Sequence, residues 1–404
     1  MKNINKFNAI LMNLNYFLLN SIFNNYLIIV MTFIFQIAIV LRNNKLENNF
    51  KIKTKHLLVL VIFFASALIM ALLGGDFEEK VGATLLVFIQ IILIYLSIQS
   101  IKNKSEFFQY FCKYFIKFTF ALSIYAIVLY FLGNQFQTYN VAIKSYTQNL
   151  NLFGFNFFQT SLGGDVPGTY NVGSLLSNPN TLSYTCLLAM IMSLMFFANR
   201  KKIKLILINL LIVVALILSG SRLAILLAIA IIPIYLFINF LGKNALNKIF
   251  FVFVGILVLI GIIYNASAIL SSINFNGRLE LWATGLNNLH LFGTGLNSDN
   301  LLIRKVLNTS ISMHNSYISF AVNFGILPLI IFIIYIVATI NKGIKKIKRN
   351  SNIKILLFLL FTFLIFSLSE YTFFSCGSYN TLFFIVVHLC QDIDDPKENT
   401  LVTF

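Results

Sequence analysis

The chain has 404 residues, of which 58% are hydrophobic and only 11% are charged. Its mean hydropathy of +0.85 lies far outside the range of soluble domains, so the composition excludes a soluble protein and indicates an integral membrane protein. The net charge of +17 would suit a nucleic-acid-binding protein, but the basic residues stand in short clusters between apolar runs, which argues against one.

Runs of about twenty apolar residues recur along the chain, and each predicts a helix that crosses a bilayer. The runs are continuous and do not alternate, which argues against a β-barrel. The sequence therefore predicts an all-α polytopic membrane protein, a single membrane domain over residues 1–404, with about twelve spans. They lie near residues 7–23, 26–41, 56–74, 81–100, 114–132, 181–198, 203–219, 222–241, 249–266, 315–340, 353–369 and 376–390.

The first of these runs is the weakest prediction of a span. It is short and contains Asn8, Asn13 and Asn15, so a half-buried helix is the alternative interpretation. No small-residue cleavage site follows the run, which argues against a removable signal peptide.

Lys and Arg are concentrated in alternate connections between the predicted spans, and all but six of the 30 basic residues then lie on one side of the membrane. Because basic connections stay in the cytoplasm, this side is predicted to be cytoplasmic and to hold both termini. The clusters are interpreted as topology anchors beside anionic membrane lipid. They lie at 42–55, 102–117, 200–204, 243–248 and 342–354.

Two connections on the opposite, outer side are long: residues 133–180 and residues 265–314, about fifty residues each. The outer side is therefore predicted to carry the function. The first long loop ends in SNPN at 177–180. Asn180 is predicted to cap the following helix, and Asn178, which precedes proline, is predicted to be extended.

The second long loop contains a predicted amphipathic helix over residues 278–288. Leu279, Trp282 and Leu286 recur at three- and four-residue spacing, so this helix is expected to lie against the membrane surface. Trp282, the only tryptophan, suits that boundary. Glycines permit close backbone approach in this region, and they stand at positions 285, 293 and 295.

Arg222 is the outer basic residue that is hardest to explain by solvation, because its two flanking spans leave it only the turn SGSR. One interpretation is a side chain that snorkels to the lipid headgroups. The other is an anion clamp, in which Arg222 and Arg278 hold a diphosphate through paired hydrogen bonds. Ser221, in the same turn, is a further candidate ligand of that diphosphate. The six outer basic residues are Lys80, Lys144, Arg222, Arg278, Arg304 and Lys305.

The stretch SMHNSYISF places His314 and Asn315 where the chain re-enters the bilayer after the second long loop. A neutral imidazole is the best available general base on this face near pH 7. A polar residue at a membrane interface is the alternative interpretation of His314. A metal site is not expected, because no second His, Asp or Cys lies at ligand spacing.

The order of SNPN, SGSR, GRLELWATGL, GTGLNSDN and HNSYISFAVNFGILPL resembles the O-antigen polymerase and O-antigen ligase superfamily, over about residues 177–340. The resemblance implies a glycosyltransferase at the outer face of the bacterial cytoplasmic membrane. Its donor would be an oligosaccharide on undecaprenyl diphosphate, which a polymerase joins into O-antigen or capsular polysaccharide. By the same resemblance, Arg222 and Arg278 hold the diphosphate and His314 activates the acceptor. No nucleotide sugar or other cofactor is implied, no metal in the ligase branch, and a chain-length regulator of the polysaccharide co-polymerase type is the expected protein partner.

This reaction agrees with the chemistry of the residues. Attack of a sugar hydroxyl on the anomeric carbon expels a diphosphate, and arginines can stabilise the growing negative charge without a metal. Glu280, two residues after Arg278, is a second candidate base or an orienting partner for arginine. The candidates for positioning the acceptor are Asn178, Asn180, Asn315 and Trp282.

Three other functions stay open. A ligase would transfer the same glycan to lipid A–core; a polymerase is favoured over it because the chain is of modest length and the first loop is rich in aromatic and Asn residues. A flippase is disfavoured because the spans are nearly uncharged at their centres and show no repeat. A cell-wall glycan polymerase of another polytopic family would use an outer acid in place of histidine.

The DID sequence at 392–394, a pattern also found in metal–nucleotide sites, is interpreted as a solvated tail.

Overall fold

A computed structural model describes most of the chain. The described residues are 2–21, 26–46, 61, 64–65, 68–72, 77–132, 137–140, 145–152, 155–162, 171–176, 178–196, 202–221, 223–230, 278–308, 313–347, 349–350, 352–370 and 378–393. The predicted span near 249–266 lies outside them, and the spans near 56–74 and 222–241 lie largely outside them.

Apolar helices dominate the described part of the chain. Five segments are long and apolar enough to cross a membrane: Leu27–Asn44, Lys80–Ser100, Lys104–Phe131, Pro179–Phe196 and Ile326–Lys346. The protein is therefore a multi-pass membrane protein, and the count of twelve spans stays a prediction. The helices are α1 Lys2–Asn20, α2 Tyr26–Leu46, α3 Phe77–Ser100, α4 Lys104–Leu132, α5 Pro179–Ser193, α6 Lys202–Leu218, α7 Arg278–Leu286, α8 Ser298–Leu307, α9 Ser316–Phe324, α10 Ile326–Lys346, α11 Asn352–Phe366 and α12 Ser378–Asp392.

The segment predicted to be the first long outer loop contains a three-stranded antiparallel sheet, which the sequence did not predict. Its strands are β1 Gln137–Asn140, β2 Ser145–Leu152 and β3 Phe155–Leu162, in the order β1-β2-β3. Gln148 of β2 pairs with Gln137 of β1 and with Gln159 of β3. The all-α prediction thus holds for the apolar helices and needs this addition in the loop.

Helix α1 is packed inside the helix bundle, because its polar side chains bond to the neighbouring helices. Asn8 Nδ2 donates to Asn43 Oδ1 of α2 at 3.2 Å, and Asn13 Nδ2 donates to the backbone oxygen of Phe111 in α4 at 3.1 Å. Both side chains are fully buried. Two of the asparagines that made the first span the weakest prediction, Asn8 and Asn13, therefore make interhelical contacts, a common use of amides in membrane bundles.

The predicted span at 315–340 is wrong as a single helix. It is broken at Gly325, whose φ of 103° and ψ of 166° lie outside the helical region. The short helix α9 precedes the break, and the 21-residue helix α10 follows it. Only α10 is long enough to cross the membrane.

A glycine-rich loop satisfies the backbone groups that this break exposes. The backbone N–H groups of Thr294 and Gly295 donate to the oxygens of Val322 and Asn323 at the end of α9, at 3.1 and 2.9 Å. A Cβ on Gly325 would overlap the Leu291 oxygen. A Cβ on Gly293 of the loop would likewise overlap the Asn323 oxygen, so the two segments approach this closely only with glycine at both positions.

The prediction that the DID sequence is a solvated tail is wrong for Asp392. It is 2% exposed at the end of α12, where Gln99 Nε2 donates to its carboxylate. Lys346 Nζ donates to the backbone oxygens of Gln391 and Ile393, at 2.7 and 3.0 Å. These contacts satisfy the carbonyl groups at the helix end and fix α12 against α3 and α10.

Candidate functional site

The start of α5 and the end of α11 are held together by aromatic stacking. The rings of Tyr184 and Phe366 lie 4.0 Å apart at 12°. Four residues before Tyr184 and four residues after Phe366, Asn180 Nδ2 donates to Glu370 Oε1 at 2.8 Å. Because the two contacts run in opposite chain directions, the helices are antiparallel, and the stacked rings place Glu370 at the end of the bundle where α5 begins, the end predicted to face outward.

Arg278 joins this carboxylate from the first residue of α7. Its Nη2 lies 3.6 Å from Glu370 Oε1, and its Nη1 donates to the backbone oxygen of Ser369 at 3.1 Å. The side chain of Arg278 is 23% exposed, so the guanidinium is oriented by the protein and still reached from outside. A guanidinium has five N–H donors, more than these two contacts use.

His314 contacts the other oxygen of the same carboxylate. Its Nδ1 lies 3.3 Å from Glu370 Oε2, and its side chain is 28% exposed. The φ of His314 is 48°, in the left-handed region that non-glycine residues seldom adopt. Such a backbone persists only where neighbouring contacts enforce it, and it is frequent at functional sites.

The start of α9 is bonded to the chain segment that carries Glu370. Asn315 caps α9 by accepting from the backbone N–H groups of Tyr317 and Ile318, and its Nδ2 donates to the Leu368 oxygen at 3.2 Å. Ser316 Oγ donates to the Glu370 backbone oxygen at 2.7 Å. These bonds fix the distance between His314 and Glu370.

The cap of α5 is Asn178, and the prediction that Asn180 caps it is wrong. Asn178 is extended, as predicted, and its side chain accepts from the Thr181 backbone N–H at 2.8 Å. Pro179 takes the first helical position, where a missing N–H costs nothing. Asn180 is therefore released from capping and bonds to Glu370.

The predicted amphipathic helix forms as α7 but is oriented by specific contacts. Leu279 and Leu286 are exposed, in agreement with a surface that faces the membrane boundary. Trp282 is partly buried, and its Nε1 donates to the Met313 oxygen at 2.9 Å. Trp282 thus holds α7 against the residue that precedes His314.

Glu280 and Glu370 occupy different environments. Glu280 lies on the exposed face of α7. Glu370, which the sequence analysis missed, is the acid that contacts both Arg278 and His314. Its sequence signal was SLSE at the outer end of a predicted span, and a single acid there has no distinctive spacing. Among the residues that the structure describes, no three His, Cys, Asp or Glu side chains could hold a metal ion.

Arg222 lies outside the described residues, so its place relative to this site is not described. The turn before it is described. The backbone oxygen of Ser221 accepts from the Ile225 backbone N–H at 3.1 Å, at the start of a helix over residues 223–230. Gly220, with φ of 70°, packs against the Asn171 side chain with no room for a Cβ.

Comparison with known proteins agrees with the superfamily resemblance. No curated protein matches the chain. A family model matches one segment of the chain, which includes the site residues Arg278 and His314 but not Asn180 or Glu370. This segment, residues 207–333, matches the family described as O-antigen ligase, within the superfamily that the sequence motifs indicated.

Proposed function

We propose that the protein is a glycosyltransferase that polymerises oligosaccharide repeat units carried on undecaprenyl diphosphate into O-antigen or capsular polysaccharide. The observation that carries the proposal is the convergence of Arg278 and His314 on the carboxylate of Glu370. Arg278 supplies positive charge and His314 supplies a base, the two groups that sugar transfer from a diphosphate uses without a metal. The family match over residues 207–333 supports the same reaction class.

In the proposed reaction, a hydroxyl of the acceptor sugar attacks the anomeric carbon of the donor. The bond between that carbon and the diphosphate oxygen breaks, and its electron pair leaves with undecaprenyl diphosphate. His314 takes the hydroxyl proton, and Arg278 stabilises the charge of the leaving group. Arg222, carried over from the family resemblance, is the second proposed diphosphate ligand, with Ser221 beside it.

The proposed site faces outward from the bacterial cytoplasmic membrane, with both chain termini in the cytoplasm. Support comes from the charge distribution, because Arg278, His314 and Glu370 all belong to connections on the weakly basic side. The proposed partners are the lipid-linked oligosaccharide, membrane lipid and a chain-length regulator of the polysaccharide co-polymerase type.

An O-antigen ligase is the second candidate, because the matching family carries that description. The donor and the leaving group are the same, and only the acceptor differs, being lipid A–core in place of a second lipid-linked repeat unit. Arg278 and His314 would keep their roles in either reaction.

The glycan profile of a deletion strain tests the proposal. Core that carries a single repeat unit is the result expected for a polymerase. Polymer that stays on the lipid carrier would assign the ligase, and loss of both products would favour a transporter. Unchanged long polysaccharide in the deletion strain would overturn the proposal.

A further inference from the structure

We propose that Glu370 is a positioning residue that sets which nitrogen of His314 carries the proton and holds Arg278 beside it. The inference rests on the proposed function, in which His314 is the base. It adds a residue on a different connection, about ninety residues after Arg278, that neither the motifs nor the family match includes.

The two oxygens of Glu370 have different partners. Oε1 accepts from Asn180 Nδ2 at 2.8 Å and faces Arg278 Nη2 at 3.6 Å. Oε2 faces His314 Nδ1 at 3.3 Å. The carboxylate is therefore oriented by the hydrogen bond from Asn180 and the ion pair with Arg278 on one side, and it presents its remaining oxygen to the imidazole.

An ionised carboxylate accepts hydrogen bonds and donates none, so the partner atom of His314 must be an N–H. Nδ1 then carries the proton in the neutral imidazole, and the lone pair is on Nε2. This is the nitrogen that can take a proton from an acceptor hydroxyl. Glu370 thereby directs the basic nitrogen of His314 away from itself and toward the substrate.

The position of Glu370 is fixed by its backbone as well as by its side chain. Ser316 Oγ donates to its backbone oxygen at 2.7 Å, and the Ser316 backbone N–H donates to the Ser367 oxygen at 2.8 Å. Ser316 stands two residues after His314. The segments that carry acid and imidazole therefore move together, and the left-handed backbone of His314 is held between them.

Glu370→Gln is the sharpest test, because Asn180 and Arg278 dictate how the new amide must lie. Both are donors, so they retain the amide oxygen, and the amide NH₂ is turned toward His314 Nδ1. The imidazole then has to accept at Nδ1 and carry its proton on Nε2. The basic nitrogen of His314 then faces residue 370 and not the substrate, while the contact to Arg278 is preserved.

We expect transfer by the purified Glu370→Gln protein to show a kcat lower by about 10²–10⁴-fold, with the KM for the lipid-linked donor little changed. Glu370→Asp keeps an acceptor for His314 and should restore part of the lost kcat. Glu106→Gln is the matched control, an acid-to-amide change in which Asn5 and Asn103 remain the partners.

A second measurement does not depend on activity. The ¹⁵N NMR signals of histidine-labelled protein, assigned with His314→Gln, report which ring nitrogen carries the proton. We expect the Nδ1–H form in the native protein and the Nε2–H form in Glu370→Gln. An unchanged tautomer, or native kcat in Glu370→Gln, overturns the inference. Native protein that transfers no lipid-linked sugar would instead overturn the proposed function, and the NMR result would still decide the role of Glu370.

Discussion

Two polar clusters in this protein use similar side chains to different ends. In one, which is predicted to face outward and is called the outer cluster, Asn180 bonds to an acid that also contacts Arg278 and His314. In the inner cluster, Asn8 bonds to Asn43, which in turn donates to Ser100 at 2.9 Å. The outer cluster combines ionisable groups, partial exposure and a strained backbone, whereas the inner one consists of neutral, buried groups.

The difference separates a site from an interhelical contact. Neutral amides buried between helices lower the free energy of the folded state by satisfying one another, and they have no group that can exchange a proton with a substrate. Charged groups that remain 16–28% exposed gain less from pairing and stay reachable. We therefore expect changes in the outer cluster to reduce activity and changes in the inner cluster to reduce stability.

The largest predicted effect is that of His314→Ala. Removal of the proposed base should lower the transfer rate by about 10²–10⁴-fold while lipid-linked donor still binds, as measured with purified protein. His290→Ala removes the other outer histidine, which is exposed, and is the control. Equal losses in the two variants would contradict the assignment of His314.

Arg278→Ala comes next. Loss of the guanidinium that faces the leaving group should reduce transfer by about 10²–10³-fold, and Arg278→Lys should recover little because an ammonium cannot pair with two oxygens at once. Arg304→Ala removes an exposed outer arginine of α8 as the control. Long polysaccharide at normal levels in Arg278→Ala cells would exclude the clamp at this position.

Gly325→Ala tests the break between α9, which follows His314, and α10. The added Cβ overlaps the Leu291 oxygen and the φ of 103° strains any other residue, so we expect the free energy of unfolding to fall by about 1–3 kcal/mol. The measurement is thermal unfolding in detergent. Gly82→Ala, where a Cβ has open space, should leave the transition unchanged.

Asn8→Leu addresses the inner cluster directly. It leaves the Asn43 oxygen without its donor, which should cost about 1–3 kcal/mol of stability, while transfer per folded molecule stays native. The double variant Asn8→Leu with Asn43→Leu should regain part of that stability because both amides are removed. A lower transfer rate per folded molecule in Asn8→Leu would contradict the expectation that the inner cluster affects stability alone.

The smallest effect is expected for Asp299→Asn in the second outer loop. Burial raises the pKa of the Asp299 carboxyl, whose Oδ1 accepts from Asn323 Nδ2. Because the folded-state pKa lies above the unfolded value, the carboxyl destabilises the fold as the pH rises above the ordinary aspartate range. The amide keeps the Asn323 contact, so stability near neutral pH should rise by about 1 kcal/mol and vary less with pH. Unfolding midpoints across a pH series measure this.

Much of the helical framework was predictable because a bilayer leaves a long apolar run few alternatives. The runs at 81–100, 114–132 and 181–198 formed helices for that reason. The break at Gly325 was not predicted, because glycine is tolerated inside membrane helices. Only the contact with the loop at 291–295 shows that a glycine is required at this position. The strands of the first outer loop were missed as well, since polar loop sequence carries no membrane constraint.

The sequence alone determined that the chain is a multi-pass membrane protein, and it singled out Arg278 and His314 from residue type and predicted side of the membrane. Residue type and hydropathy are local quantities, so they suffice for such statements. Only the tertiary structure brought Glu370 to both of these residues, because the stacking of Tyr184 on Phe366 and the bonds of Ser316 join segments that lie far apart in the chain. A lone carboxylate acquires its role from such neighbours, and no spacing in the chain encodes them.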